Sequence, residues 1–329
     1  MVLHRAGIER ARKNKILIRR NEITMKEIAL GGKLQAPAIG LGCMRINALD
    51  KKEANGLLNT ALENGVNFFD HADIYGGGKS ESFFAEALPM SPAIREKVLI
   101  QSKCSILPGV AYDCSKEHIL ESVDGILKRL NTEYLDVLLL HRPDALMEPE
   151  EVAEAFRTLK ESGKVRHFGV SNQNPGQMAL LEQACGEKMI VDQLQLSIAH
   201  CPMIDEGLNV NIENSPAVVR DGGVLDYCRL KGITIQAWSP FQYGMFEGTF
   251  LGSGKYPELN TKINELAEKY GATPNAIAIA WILRHPAKIQ AIVGTTNAQR
   301  LAGICKAADI QLTRQEWYAL YLAAGKTLP

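Results

Sequence analysis

Residues 115–171 read SKEHILESVDGILKRLNTEYLDVLLLHRPDALMEPEEVAEAFRTLKESGKVRHFGVS, and they decide the fold. Ser115 is placed to cap a helix whose apolar face is Ile119, Leu120, Val123, Ile126, Leu127 and Leu130, at spacings near 3.6. Leu135–His141 follows as a short, nearly unbroken apolar run, the pattern of a strand covered on both faces rather than of one that alternates. Val152, Ala155, Phe156 and Leu159 restore the helical spacing up to Gly163, and His167–Ser171 is again strand-like. Helix, buried strand, helix, buried strand is the signature of parallel strands joined by crossover helices.

The same alternation extends in both directions. Strand candidates stand at Ala38–Cys43, Val66–Asp70, Val98–Lys103, Leu135–His141, His167–Ser171, Ile190–Leu194, Ile233–Trp238 and Ala291–Gly294. Thr273-Pro274 gives a cap followed by proline at the first helical position, and Thr313-x-x-Glu316 is a capping box opening the last helix. Eight strand–helix units in order predict an α/β fold, a single (β/α)8 TIM barrel with an extra C-terminal helix. An open doubly wound sheet is the alternative, but it wants a glycine-rich dinucleotide turn after the first strand, and no G-x-G-x-x-G stands there. The run Gly76-Gly-Gly-Lys79 lacks P-loop spacing. Residues 197–221 and 239–258 are long connections without clear periodicity, placed after strands six and seven where barrel loops line the active face.

Composition agrees with a globular protein. The 329 residues are 46% hydrophobic and 22% charged, enough apolar material for a large core. The 37 basic and 37 acidic residues cancel, yet residues 1–20 carry seven basic residues against Glu9, so the remainder carries 30 against 36, a charge of −6. An acidic body does not resemble a nucleic-acid or membrane-surface protein, and no run approaches the ~18 apolar residues of a membrane helix. Residues 1–22 lack the apolar core of a secretory signal. They are expected to form a basic extension outside the fold, with the barrel occupying 23–329. Seven cysteines without a C-x-x-C pair read as reduced thiols of a cytoplasmic enzyme.

Polar residues at strand ends are the ones a barrel offers to a substrate. Strand two ends in Asp70, with Tyr75 five residues on; strand three ends in Lys103 and strand four in His141. An ammonium beside a phenol favours phenolate and is expected to lower the Tyr75 pKa, while a carboxylate keeps the lysine charged. A neutral histidine can orient a carbonyl oxygen. His71, next to Asp70, is expected to point away from it and to pack. With His71 and His141 as the only such histidines, no metal site is expected.

These segments resemble the aldo-keto reductase family. FFDHADIYGGGKSE, VLIQSKC, LDVLLLHRPD, KVRHFGVSN and IVGTTNAQRL match its motifs in order across roughly residues 26–329, and DHADIYGG with LTRQEWYALYLAAG is similar to a bacterial branch with a short C-terminal end. The resemblance implies reduction of an aldehyde or ketone by NADPH, with NADH weaker, in a monomer or small homo-oligomer. It implies Tyr75 as proton donor, Lys103 and Asp70 as its support, and His141 as the residue orienting the carbonyl. Ser171, Asn172 and Gln193 would hold the nicotinamide carboxamide, and Trp238, where the family usually has Tyr, would stack on the ring. The loop Ser239–Phe246, with Pro240, Phe241 and Gly244, would cover the pyrophosphate. Gly294, Thr295, Thr296 and Arg300 would meet the adenosine end, the Arg300 guanidinium suiting a 2′-phosphate. Gly294 stands where many members have Lys, Ile304 where an adenine-contacting Asn is common, and Asp192 where Asn usually precedes Gln193. Rival readings on the same barrel are a cofactor-binding regulatory or redox-sensing module and a Schiff-base lyase acting through Lys103.

Overall fold

The structure, a computed structural model, describes residues 25–328. The expected extension at 1–22 lies outside the described residues. Eight parallel strands close into a barrel, each followed by helix. The first four units are β1 Ile39–Gly42 with α1 Lys51–Glu63, β2 Phe68–Asp70 with α2 Lys79–Ala87, β3 Leu99–Cys104 with α3 Lys116–Leu130, and β4 Leu135–Leu140 with α4 Pro149–Glu161. Then come β5 Val165–Ser171 with α5 Pro175–Cys185, and β6 Val191–Gln195 with α6 Pro202–Leu208 and α7 Val224–Lys231. Last are β7 Thr234–Trp238 with α8 Pro257–Tyr270 and α9 Pro274–Leu283, β8 Gln290–Val293 with α10 Ala298–Cys305, and the closing helix α11 Arg314–Ala323. The ring closes where β8 pairs β1, Ala291 opposite Ile39.

All eight expected strands are present, shifted at their ends by one or two residues. The helix faces are buried as their spacing requires: Ile119, Val123, Ile126, Leu127 and Leu130 of α3 all lie in the core, each such side chain stabilising by about 1.5–3 kcal/mol. Ser115 accepts from the His118 amide, Thr273 from Ala276, and Thr313 with Glu316 forms the full capping box. Helix α11 docks on α9 through stacked indoles of Trp281 and Trp317, 4.6 Å between centroids. Each indole N–H donates to the other residue's main-chain carbonyl, at 3.1 and 3.0 Å. Tyr321 Oη of α11 and Lys326 Nζ beyond it both donate to Asp205 of α6, at 2.8 and 2.6 Å.

Two features were not expected from the sequence. A hairpin of Glu27–Leu30 and Leu34–Pro37 precedes the barrel and packs at the N-terminal ends of its strands, where the Gly31 amide donates to Thr234 Oγ1 at 3.0 Å. Its turn needs glycine: Gly31 has φ +55°, and a Cβ there would lie 2.6 Å from the Ile190 Cβ. The connection at 197–221 is not structureless, since α6 and the short turn Ser215–Ala217 lie within it. The 239–258 segment does run as a loop up to Pro257, pinned by a bridge between Gln242 and Thr249. All seven cysteines are free thiols. Among the described residues no helix is long and apolar enough to cross a membrane.

Candidate active site

Asp70 ends β2 and Lys103 stands one residue before the end of β3, so adjacent strands bring both side chains to the C-terminal mouth of the barrel. The Lys103 ammonium is fully buried and donates to Asp70 Oδ1 and Oδ2 at 2.7 and 2.8 Å, to the His71 carbonyl at 2.8 Å and to Tyr75 Oη at 3.3 Å. Burial alone would discharge this lysine, but Asp70 and Tyr75 outweigh it and hold its pKa above the ordinary value. Tyr75 reaches inward because three consecutive left-handed glycines, Gly76, Gly77 and Gly78 at φ +59°, +66° and +84°, turn the chain back into α2. The His141 ring meets the Tyr75 ring edge-on, 5.9 Å between centroids. Burial and the Lys103 charge push His141 well below the usual histidine range, so it is neutral, and its Nδ1 has no partner among the described residues.

One electrostatic expectation is corrected. Tyr75 is raised above the ordinary tyrosine value, not lowered. Burial raises it, Lys103 lowers it, and Asp70 raises it again because its charge already compensates the ammonium. Tyr75 is therefore a protonated phenol at neutral pH. His71 packs as expected: it is fully buried, its ring 4.5 Å from that of Phe84, with its pKa pushed down to about 3 by burial and then by Lys103.

A second group of candidates lies against the first. Ser171 Oγ donates to the Gln193 carbonyl at 2.9 Å, Asn172 Nδ2 donates to Ser171 Oγ at 2.7 Å, and Trp238 Nε1 donates to Asn172 Oδ1 at 3.1 Å. Gln193 Nε2 donates to Asp70 Oδ1 at 3.0 Å, joining this group to the lysine pair. The loop carrying Ser239, Pro240, Phe241 and Gly244 is tied to the β6 side by Ser197 Oγ, which donates to the Gln242 carbonyl at 2.6 Å. Gly294, Thr295, Thr296 and Arg300 form a third group at the end of β8, where the Asn297 side chain caps α10 by accepting from the Arg300 amide. Ile304, by contrast, is fully buried in the core and has no face toward a ligand.

The sequence reading missed Arg45, whose Nη2 donates to the Gly294 carbonyl at 2.6 Å across 249 positions. It thus brings a guanidinium beside Gly294, the position where the family resemblance leads us to expect lysine; its place just past strand one was the available signal. Asp192 is fully buried, and burial pushes its pKa up to about 8 although main-chain hydrogen bonds from Gln173 and Asn172 oppose the rise, so the protonated form is favoured at neutral pH. A separate cleft of about 390 Å³ between α6, α7, α9 and α11 contains none of the candidate residues.

A sequence profile described as the Aldo/keto reductase family matches residues 38–321. An uncharacterized oxidoreductase, YcsN, of Bacillus subtilis (strain 168) is 35% identical over 321 residues, covering 93% of this chain and 100% of that protein. A 6-dehydroglucose reductase of Agrobacterium fabrum is 33% identical, covering 92% of this chain and 99% of its own length. The crystal structure of an aldo-keto reductase from Klebsiella pneumoniae in complex with NADPH superposes with a TM-score of 0.72 at 25% identity, over 90% of this chain and 94% of that one.

Proposed function

Because the chain belongs to the aldo/keto reductase family, we propose that it reduces an aldehyde or ketone to the alcohol with NADPH, using Tyr75, Lys103, Asp70 and His141. It is an NAD(P)H-dependent oxidoreductase, and small carbonyl compounds are the substrates of this class. The observation that carries the assignment of residues is the fully buried Lys103 ammonium shared between Asp70 and Tyr75 at the barrel mouth.

The residues present suit a dinucleotide. The half-buried Trp238 indole, fixed in plane by its bond to Asn172, offers a flat apolar face to a nicotinamide ring. Ser171, Asn172 and Gln193 supply polar groups beside it, and the loop Ser239–Phe246 would lie over the pyrophosphate. Arg300 is exposed in the first turn of α10, and Arg45 adds a second guanidinium at the same strand end, both suited to phosphate oxygens. The reduced nicotinamide, when bound, supplies the hydride for the carbonyl carbon. Tyr75 gives its proton to the carbonyl oxygen, and Lys103 stabilises the phenolate left behind. Asp70 holds the ammonium in place, and the neutral His141 orients the oxygen toward Tyr75. An ammonium so held leaves no free amine, which counts against the Schiff-base reading.

The test is loss of NADPH absorbance over a panel of aldehydes and ketones that includes 6-dehydroglucose, the compound in the name of the Agrobacterium relative. Tyr75→Phe should lose about 10²-fold or more in kcat, the usual worth of a positioned acid, while still binding NADPH. No consumption on any substrate, or equal rates in the two proteins, would overturn the reading; turnover itself excludes the purely regulatory alternative.

A further inference from the structure

Interior layers of such barrels are usually filled by Val, Ile and Leu. Here one level is built from amides. Gln193, Gln236 and Gln290 are Cα partners on the successive strands β6, β7 and β8, and Gln101 on β3 is the partner of Asp70 on β2. All four side chains are buried. Gln101 Nε2 donates to Asp70 Oδ1 at 2.6 Å and, across the bore, to Gln236 Oε1 at 2.9 Å. Gln193 Nε2 makes the same two contacts, at 3.0 and 3.1 Å. Gln236 Nε2 then donates to Gln290 Oε1 at 2.7 Å, and Gln290 Nε2 to the Pro37 carbonyl of the lower hairpin at 2.7 Å.

The direction of this chain is determined from both ends. A carboxylate and a main-chain carbonyl can only accept, so amide nitrogens must face Asp70 above and Pro37 below. Working inward from either end gives the same orientation for every amide, and the two meet at Gln236 without conflict. Gln101 Oε1 is buried with no partner among the described residues. That orientation leaves an acceptor unmet, as it must when the alternative points an amide oxygen at the Asp70 carboxylate.

We propose that Gln101, Gln236 and Gln290 are positioning residues for reduction: a ladder of amides that fixes the Asp70–Lys103 pair and leaves Gln193 Oε1 as the atom available to a nicotinamide carboxamide. The proposal rests on the reductase reading above. Two donors on Oδ1 draw charge from Asp70, which leaves the Lys103 ammonium freer to support a Tyr75 phenolate. Tyr75 faces Lys103, Asp70, His141 and Cys43, and only the first of these carries a positive charge.

The test compares Gln236→Leu with wild type and with Ile277→Ala, a core change on α9 remote from the mouth. Expected for Gln236→Leu are a kcat at least tenfold lower, a Kd for NADPH at least threefold higher by tryptophan fluorescence, and an alkaline limb of kcat moved to higher pH. The limb moves up because the Gln101 and Gln193 amides, no longer held by Gln236 Oε1, donate less firmly to Asp70, which then holds Lys103 more tightly, so phenolate forms less readily. Ile277→Ala should lower the melting temperature and leave kcat, Kd and the limb in place. If Gln236→Leu does not fold, Gln290→Leu is measured instead and should show the same three changes at smaller size. A folded Gln variant within twofold of wild type in kcat and Kd with an unmoved limb overturns the ladder, as does Ile277→Ala reproducing the changes. Wild type consuming no NADPH overturns the reductase reading and the ladder together; an active wild type beside an unimpaired Gln variant overturns the ladder alone.

Discussion

Asp192 and Gln193 are consecutive residues of β6 and serve opposite sides of the barrel wall, as the strand period of two requires. Gln193 turns inward and donates to Asp70; Asp192 is on the outer side, where the nearby ionisable groups include Cys228 of α7 and Asp221 just before that helix. Burial raises the Asp192 pKa to about 8, so the folded chain holds a proton there that the unfolded chain releases near pH 4. Between those values the unfolded state binds fewer protons, and stability falls as pH rises. Asp192→Asn is therefore expected to be neutral at pH 4 and stabilising by about 1–3 kcal/mol at pH 8, read from denaturant midpoints at the two pH values. Side chains of this kind are where the sequence was least legible. The Tyr75 pKa depends on burial set against two opposed charges, and no spacing encodes that balance. Gln101, Gln236 and Gln290 were missed for another reason: they stand in the middle or at the start of their strands, away from the C-terminal ends that face a substrate.

At the scale of elements, legibility followed continuity. Strands such as β4, LDVLLL, are nearly continuous apolar runs, and the long amphipathic helices repeat cleanly, so both could be read directly. The lower hairpin, with strands of four residues, and α6, with seven, are too short for any period to show. Caps were legible because they depend on local chemistry. Thr313 Oγ1 accepts from the Glu316 amide at 3.2 Å and Glu316 Oε2 accepts from the Thr313 amide at 2.7 Å. Thr313→Ala should cost about 1 kcal/mol, a drop of roughly 2 °C in melting temperature followed by circular dichroism. Glu316 also accepts from Lys269 and Tyr270, and its pKa is held down at about 2 although burial opposes it. Its contribution is complete above the ordinary glutamate range and is lost as pH falls through about 4 toward 2. Glu316→Gln should accordingly melt lower than wild type at pH 7, with the gap closing in acid.

For the whole molecule, neutral net charge conceals an acidic body that must hold an anionic cofactor. The field of the barrel as a whole does not assist, so the proposed reading relies on Arg300, Arg45 and the N-terminus of α10 acting locally. Arg300→Ala should raise the Michaelis constant for NADPH more than that for NADH, by about 1.5–3 kcal/mol for a charge-assisted contact, and equal rises would count against a 2′-phosphate role. Arg45 was missed because its partner is 249 positions away, although its place just past β1 was legible. The candidates Asp70, Tyr75, Lys103 and His141 were visible because three adjacent strands, β2, β3 and β4, carry them to one rim. We further expect removal of residues 1–22 to leave kcat and melting temperature unchanged.

The lower hairpin gives that last experiment a sharp edge. The family profile begins at residue 38, one position after the carbonyl that accepts from Gln290. A protein trimmed to the matched segment would keep every strand of the barrel and the Asp70, Tyr75, Lys103 and His141 side chains, yet lose the carbonyl under its amide column. On the ladder proposed above, the minimal working unit is thus wider than the recognisable signature: it takes in the hairpin strand Leu34–Pro37, and a fusion or truncation boundary cut there would be felt at the opposite end of the bore.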